Sequence, residues 1–188
     1  MSNIPFITAK NQVKKNGNFR AVDDISFEVM SGSICGFLGP NGSGKSTTLR
    51  MMTDLIRPDS VEILWFVESL KSHRSSIMNR IGCIIEKPDF YTYLSALENL
   101  QLLARATGFR KTKSDYDQLL LLVGLKGREK DAVKAYSHGM KQRLGLAQAL
   151  LHQPEVVILD EHNTGLDQQR SEERREGKEC RSRWSAFH

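Results

Sequence analysis

The stretch GPNGSGKS has the residue types and spacing of a loop that binds nucleotide phosphates. Its three glycines let the backbone curl so that successive N–H groups point at phosphate oxygens. Lys45 is expected to reach the β- and γ-phosphates, and the Ser46 hydroxyl is expected to bind Mg²⁺. A strand before the loop and a helix after it favour this interpretation over a glycine turn with an incidental lysine. The predicted nucleotide-binding residues are Gly39, Pro40, Asn41, Gly42, Ser43, Gly44, Lys45, Ser46 and Thr47.

Two adjacent acids, Asp160 and Glu161, follow the apolar run Val156–Leu159. Carboxylates at the end of a buried strand are unfavourable unless a cation faces them. We therefore expect Asp160 to hold Mg²⁺ and Glu161 to act with Lys45 in catalysis, as the general base that polarises an attacking water. The alternative is a strand that ends in a solvated acidic turn, and the coexisting phosphate loop favours the catalytic interpretation.

Predicted strands and helices alternate around these motifs as in an α/β protein. The last strand is expected to be fully buried, as in a parallel sheet, and Pro154 is expected to stop the helix before it. This order predicts an α/β core with an inserted helical subdomain. Predicted strands cover residues 21–29, 31–39, 60–67, 82–86 and 155–161, and predicted helices follow the phosphate loop and cover 72–82, 95–107, 114–123 and 139–153.

The composition is that of one soluble globular domain. The chain has 188 residues and a net charge of +5, of which the last nineteen residues contribute two. Such a mild charge does not argue for nucleic-acid binding. Three widely spaced cysteines without a CxxC pair favour reduced thiols. No apolar stretch is long enough to cross a bilayer, and the first residues lack the apolar stretch of a secretory signal. A role at a membrane would therefore be that of a peripheral subunit.

Three motifs together resemble those of the ATP-binding subunit of ABC transporters: GPNGSGKST, YSHGMKQRLGLAQALL and ILDEHNTGLD. The resemblance covers residues 4–167. It implies a P-loop NTPase (RecA-like) fold with a parallel-sheet core, an N-terminal antiparallel β subdomain and an inserted helical subdomain at about 87–150. The C-terminal part of that fold is expected to be absent from this sequence, so residues 1–169 are expected to form an incomplete ATP-binding domain.

The middle motif corresponds to the family's signature, here Tyr136 to Met140. The resemblance implies that Ser137 and Gly139 form a second phosphate cradle, which faces the loop of a partner subunit in a head-to-tail dimer. A hydroxyl and backbone N–H groups at a helix N-terminus are suited to that role. An ordinary N-capped helix that begins at Ser137 is the alternative, and it does not explain the order of the three motifs.

The strand end at Glu86 is where the family places a Mg²⁺-contacting residue, usually glutamine. Glutamate there, followed by KPDFYTYLSALENL, resembles the bacitracin and drug exporter branch. Phe90, Tyr91 and Tyr93 would lie near the groove that receives the membrane subunit, and the alternative places these aromatics in the core of the helical subdomain. Asp167 matches the family's D-loop acid.

Several positions depart from the family's pattern. Asn16 stands where the family stacks adenine on an aromatic ring, and Phe19 is the nearest aromatic residue, so adenine stacking is expected to be weak. Val61 stands where a glycine is expected, and a β-branched residue would be strained there if φ is positive. Val67, in the following turn, also stands where a glycine is expected, and His162 and Asn163 stand where the family has proline and threonine.

Residues 170–188 have no apolar period and closely resemble the translation of a sequencing-adapter oligonucleotide. Their glutamates and arginines would stay solvated, so a non-native tail is expected, in place of the family's switch histidine. A basic arm for nucleic acid or anionic lipid is the alternative.

The resemblance implies an ATPase that uses ATP and Mg²⁺ and drives export through a separate membrane-spanning permease. Two ATP-binding subunits would close head to tail around ATP and reopen after hydrolysis. The chain would lie in the cytoplasm, on the inner face of the cell membrane, with no nucleic-acid partner. A soluble ABC ATPase of translation or DNA repair, and an inactive nucleotide-binding fragment, are the alternatives.

Overall fold

The computed structural model describes residues 4–59, 63–85 and 88–160, which divide into two compact units. The first unit contains the described residues up to Met52 and those between Ile56 and Ser72. The second unit contains Thr53–Leu55 and the described residues from His73 onward. The expected boundaries of the ATP-binding domain and of its helical subdomain stay predictions, and the tail at 170–188 lies outside the described residues.

The first unit is built on an antiparallel sheet, as expected for the N-terminal β subdomain. Its strand order is β2-β1-β3-β4. β1 and β2 form a long hairpin, and Asn16 pairs with Phe19 across the turn. β3 is shorter than predicted because a tight turn brings the chain back as β4. The strands are β1 Pro5–Asn16, β2 Phe19–Met30, β3 Ile63–Trp65 and β4 Glu68–Ser69.

One helix, α1 Lys45–Met52, covers this sheet. Met51 and Met52 of α1 and Trp65 of β3 are buried, and Trp65 is fully inaccessible to solvent. The Trp65 indole N–H donates to the Met52 carbonyl at 3.0 Å, which satisfies one of the carbonyls that a helix leaves free at its end. The hydrophobic and hydrogen-bonding contacts together fix the direction in which α1 leaves the phosphate loop.

The predicted strand at residues 31–39 is wrong for this structure. The segment belongs to neither sheet, and Ile34 and Leu38 are 93% and 88% exposed. A strand is stable only when its backbone groups pair with a neighbour. Among the described residues, the run pairs with neither edge strand of the sheet in its own unit, β2 or β4, so its backbone has no ladder.

Helices α3, α4 and α5 form the core of the second unit, as the leucine spacing predicted. Ser95 and Thr112 each begin a helix with a reciprocal capping box, and α5 ends before Pro154. Leu100, Leu120 and Leu144 are at most 1% exposed in the centre of this core. The helices are α2 Arg74–Met78, α3 Ala96–Ala106, α4 Lys113–Leu122 and α5 His138–Leu150, and a short 3₁₀ turn covers Val133–Ala135.

A parallel pair of strands, β5 Ile81–Ile84 and β6 Val156–Leu159, lies beside α5. Gly82 allows the close approach, because a Cβ there would collide with the Ala149 carbonyl oxygen and with Pro154. The expectation that the last strand is fully buried is wrong. Val157 and Leu159 are 39% and 45% exposed, because β6 has only β5 as its neighbour within the described residues.

Within the part of the chain that the structure describes, no helix combines the length and the apolar character needed to span a bilayer.

Candidate functional site

The phosphate loop adopts a conformation that requires glycine at two positions. Gly42 and Gly44 have φ values of +81° and +86°, where residues with a side chain are disfavoured. A Cβ on Gly44 would also collide with the Ala21 carbonyl oxygen of β2. The loop therefore packs tightly on the sheet at Gly44 and stays open at Gly42, where a Cβ would meet nothing within 4 Å.

The Lys45 side chain folds back into its own loop. Its ammonium group donates to the carbonyl oxygens of Gly39 and Pro40, both at 2.9 Å. A lysine held over a glycine-rich turn at the start of a helix is a cation suited to a polyphosphate, because the helix N-terminus adds partial positive charge. The hydrogen-bond donors of this loop therefore fit a nucleoside triphosphate.

The first turn of α1 separates a structural hydroxyl from two that are available to a ligand. Thr48 is buried, and its hydroxyl donates to the Gly44 carbonyl at 2.9 Å, where it fixes the start of the helix. Ser46 and Thr47 are half-buried, and neither hydroxyl makes a hydrogen bond within the described residues. Their chemistry fits the roles expected for the phosphate-binding loop: a Mg²⁺ ligand at Ser46 and a phosphate contact at Thr47.

Phe19 is the first residue of β2, at the tip of the long hairpin, and its side chain is 65% exposed. Gly17, with a φ of +60°, makes the turn that places Phe19 opposite Asn16. An exposed ring at a hairpin tip is available for stacking but is held by few neighbours. Phe19 lies in the same compact unit as the phosphate loop.

In the second unit, Ser137 caps α5. Its side-chain oxygen accepts a hydrogen bond from the Met140 N–H at 3.3 Å, so the N-capped helix of the alternative interpretation is present. Gly139 lies in the first turn, and a Cβ there would meet nothing within 4 Å. The residues of the second predicted phosphate cradle are therefore brought together at one helix N-terminus, while their role toward phosphate stays a prediction.

Tyr136 anchors this helix N-terminus, a role that sequence reasoning missed. The ring is buried, and the hydroxyl donates to the Arg128 carbonyl at 2.7 Å. Burial raises the pKa of Tyr136 to about 12, with smaller contributions from the carboxylates of Asp131 and Glu129. The phenol is therefore a permanent hydrogen-bond donor, and no local pattern in the sequence reveals its partner.

The acids predicted at the strand ends are only partly described. Asp160 follows β6 directly, and its N–H donates to the Ile84 carbonyl at 2.8 Å, which continues the parallel ladder by one residue. Glu161 and Glu86 lie outside the described residues, as do Val61, His162, Asn163 and Asp167. Among the described residues, no group of three or more His, Cys, Asp or Glu side chains could hold a metal ion.

The aromatic segment before α3 has one ring in the helical core and two on the surface, so it has features of both predicted alternatives, the core and the groove contact. Phe90 packs against the helical core, whereas Tyr91 and Tyr93 are 54% and 71% exposed and contact each other edge to face at 6.0 Å. Buried Asn99 holds the segment, since its amide accepts from the Tyr91 N–H and donates to the Tyr91 and Ser95 carbonyls. Asn99 is a second residue that sequence reasoning missed.

Comparison with known proteins assigns a family to these motifs. The family model described as ABC transporter matches residues 22–164. The chain is 46% identical over 161 residues to the bacitracin transport ATP-binding protein BcrA of Bacillus licheniformis, covering 86% of this chain and 52% of that protein. It is 46% identical over 158 residues to the uncharacterized ABC transporter ATP-binding protein YhcH of Bacillus subtilis, covering 84% and 52%. The chain thus spans about half the length of these relatives.

A solved structure with a similar fold has a description of the same kind. A solved structure described as the ATP binding subunit of an ABC transporter superposes with a TM-score of 0.74 at 28% identity. The match covers 87% of this chain and 69% of that one. The P-loop NTPase fold predicted from the three motifs is confirmed by this similarity.

Proposed function

Because the chain belongs to the ABC transporter family, we propose that it is the ATP-binding and ATP-hydrolysing subunit of an exporter, which powers transport through a separate membrane protein. Support for the exporter branch comes from the 46% identity to a protein named for bacitracin transport. The names of these relatives favour a transporter over a soluble ABC ATPase of translation or DNA repair.

The single observation that carries the proposal is the state of Lys45. Its ammonium group lies 2.9 Å from two loop carbonyls, inside a turn whose positive φ values at Gly42 and Gly44 favour glycine. The oxygens of a polyphosphate are stronger partners for this cation than neutral carbonyls are. The lysine can therefore exchange the Gly39 and Pro40 carbonyls for phosphate without a change of fold.

The remaining site residues have proposed roles within their own units. In the first unit, Ser46 is the proposed Mg²⁺ ligand and Phe19 the adenine contact. In the second, Asp160 and Glu86 are proposed Mg²⁺ ligands, and Glu161 the general base that takes a proton from the attacking water. Mg²⁺ held by these residues would supply a Lewis acid that offsets negative charge on the phosphates.

Two partners follow from the proposal. A second ATP-binding subunit would present its phosphate loop to Ser137 and Gly139, since the exposed N-terminus of α5 offers N–H groups to an anion. A membrane-spanning permease would receive the movement, with this chain on the cytoplasmic face of the membrane. The exposed pair Tyr91 and Tyr93 is the proposed contact on this chain.

The test is a pair of lysine substitutions measured with a fluorescent ATP analogue and with phosphate release. Lys45→Ala should weaken binding by at least about tenfold, because a charge-assisted contact contributes roughly 1.5–3 kcal/mol. Lys71→Ala, at an exposed lysine of the same unit, is the matched control and should bind as the natural chain does. Binding with release supports the ATP-hydrolysing part of the proposal, and binding without release leaves a nucleotide-binding fragment. Equal binding by both variants would refute it.

A further inference from the structure

An open groove of about 430 Å³ crosses the surface of the helical core. Residues from the first turn of α3, from α4 and from the loop after α4 line it. Its apolar lining is contributed by Leu97 and Leu121, and Leu121, near the C-terminal end of α4, is 55% exposed. Apolar side chains that line an open concave surface mark a site where another molecule can bury them.

Three lysines line the same groove: Lys113 at the start of α4, and Lys126 and Lys130 in the loop that follows it. All three side chains are exposed, and none makes an ion pair with any residue that the structure describes. Lysines usually spread over a surface as solvated single charges. Here their positive charge is concentrated around an apolar lining.

The acids of the groove neutralise these lysines only in part. Only Asp117 and Glu129 line it, so lysines outnumber carboxylates. The Glu129 carboxylate accepts the Gly127 N–H at 2.7 Å, and this hydrogen bond lowers its pKa and holds the charged group against its own loop. The nearby Asp131 pairs with Arg128 at 3.0 Å. Three lysines against two carboxylates leave the lining of the groove with a net charge of +1.

We infer that this groove receives an acidic peptide segment of a partner protein, with carboxylates on Lys113, Lys126 and Lys130 and an aliphatic side chain on Leu97 and Leu121. Charge complementarity selects an acidic occupant, and the apolar lining requires an aliphatic group beside the acids. A peptide fits a concave groove, whereas a bilayer surface needs apolar side chains that protrude in one plane. The inference is independent of nucleotide binding.

Fluorescence anisotropy of the whole chain with labelled synthetic peptides tests it. The probe is a short helical peptide with one glutamate face and one leucine face, and its counterpart carries lysine in place of every glutamate. The glutamate peptide should bind, and added salt should weaken it. The triple variant Lys113→Glu, Lys126→Glu, Lys130→Glu should lose at least about tenfold in affinity, which corresponds to about 1.4 kcal/mol, and should gain binding of the lysine peptide.

Two controls separate the groove from general charge and from folding. The triple variant Lys10→Glu, Arg57→Glu, Lys71→Glu makes the same charge change at exposed positions of the other unit and should bind the glutamate peptide normally. Leu121→Ala removes an exposed side chain and should weaken binding several-fold with an unchanged circular dichroism spectrum.

Equal losses in the two triple variants, or no binding of the glutamate peptide to the natural chain at about 1 mM, would overturn the inference. Binding to phosphatidylglycerol vesicles without binding to the peptide would overturn it as well, in favour of a lipid surface.

Discussion

At the scale of single residues, the β3–β4 turn combines a demanding backbone with an unsuitable side chain. Trp65 pairs with Glu68 across a two-residue loop, and Phe66 and Val67 have φ values of +52° and +68°. Turns of this kind favour Asn-Gly, since both central residues need a positive φ. The Phe66 N–H donates to the Phe6 carbonyl at 2.8 Å, which holds the turn in place. The family pattern predicts a glycine at position 67, and the positive φ of Val67 explains why glycine would suit it.

Val67→Gly should raise the free energy of unfolding by about 1 kcal/mol, because a left-handed conformation costs a residue with a side chain roughly 1–2 kcal/mol. Val67 is 65% exposed, so little packing is lost. Urea denaturation followed by tryptophan fluorescence measures the change. Val157→Gly, at a partly exposed valine of β6, is the control and should lower stability by about 1 kcal/mol. A loss of stability in both variants would show that the turn is not strained.

At the scale of elements, one buried amide fixes the entry to α3. Asn99 contacts the backbone of Tyr91 and Ser95, so the segment before the helix is tied to the second turn of the helix itself. Ser95 and Glu98 complete the capping box at the same point. A single side chain thereby positions the exposed tyrosine pair.

Asn99→Ala should lower the free energy of unfolding by about 1–3 kcal/mol, because the Tyr91 N–H loses its hydrogen-bond partner, whereas the Tyr91 and Ser95 carbonyls keep the backbone N–H groups of Leu94 and Asn99. Hydrogen exchange at the Tyr91 amide should speed up more than exchange in α5. Asn79→Ala changes an exposed asparagine after α2 and should stay within about 0.5 kcal/mol of the natural chain. Unchanged exchange at Tyr91 in the Asn99 variant would contradict this role.

Arg80 and Glu155 join the starts of the two parallel strands. The guanidinium donates to both Glu155 carboxylate oxygens, at 2.6 Å and 3.1 Å, and this hydrogen bonding lowers the pKa of Glu155. A lowered carboxyl pKa adds stability above the unfolded-state value of about 4.3, and that stability is lost as the pH falls through the folded-state pKa. The pair is partly exposed, so the effect is screened.

Arg80→Gln should therefore make the free energy of unfolding less dependent on pH in the acidic range. The difference from the natural chain should be about 0.5 kcal/mol at neutral pH and should vanish at acidic pH, once Glu155 is protonated in both states. Urea titrations at a series of pH values measure it. Arg128→Gln removes a more exposed guanidinium that pairs with Asp131 and provides a comparison on a loop. A constant difference at every pH would exclude the titration of Glu155 as its cause.

At the scale of the whole molecule, the exposed apolar segment 31–39 is the feature most expected to promote self-association. Ile34 and Leu38 lie open to solvent directly before the phosphate loop, and β6, which pairs only with β5 among the described residues, exposes Val157 and Leu159. Apolar residues and an unpaired strand edge of this kind promote association between copies. The chain should therefore self-associate as its concentration rises.

The double substitution Ile34→Lys, Leu38→Lys should reduce light scattering at high concentration and leave the free energy of unfolding within about 0.5 kcal/mol. Ile7→Lys, at a buried position of β1, should by contrast destabilise the first unit strongly. Strong destabilisation by the double substitution would mean that the run is packed in solution. Unchanged scattering would mean that other surfaces drive association.

The sequence alone determined the features that depend on local spacing. The glycine pattern of the loop at Gly42 and Gly44 sets a backbone that few other residues can adopt, and the leucine periods of α3 and α4 set which faces are buried. The Ser95–Glu98 capping box is also readable from spacing, since its two partners are three residues apart.

Only the tertiary structure decided the features that depend on distant partners. The apolar run 31–39 reads as a strand, but a strand needs a neighbour, and local sequence does not show whether one is present. Local sequence also does not show the exposure of β6 or the hydrogen bond from Tyr136 to the Arg128 carbonyl. Nor does it show that Lys113, Lys126 and Lys130 line one groove. Periodicity reports which residues prefer to be buried, whereas packing between remote segments decides which of them are.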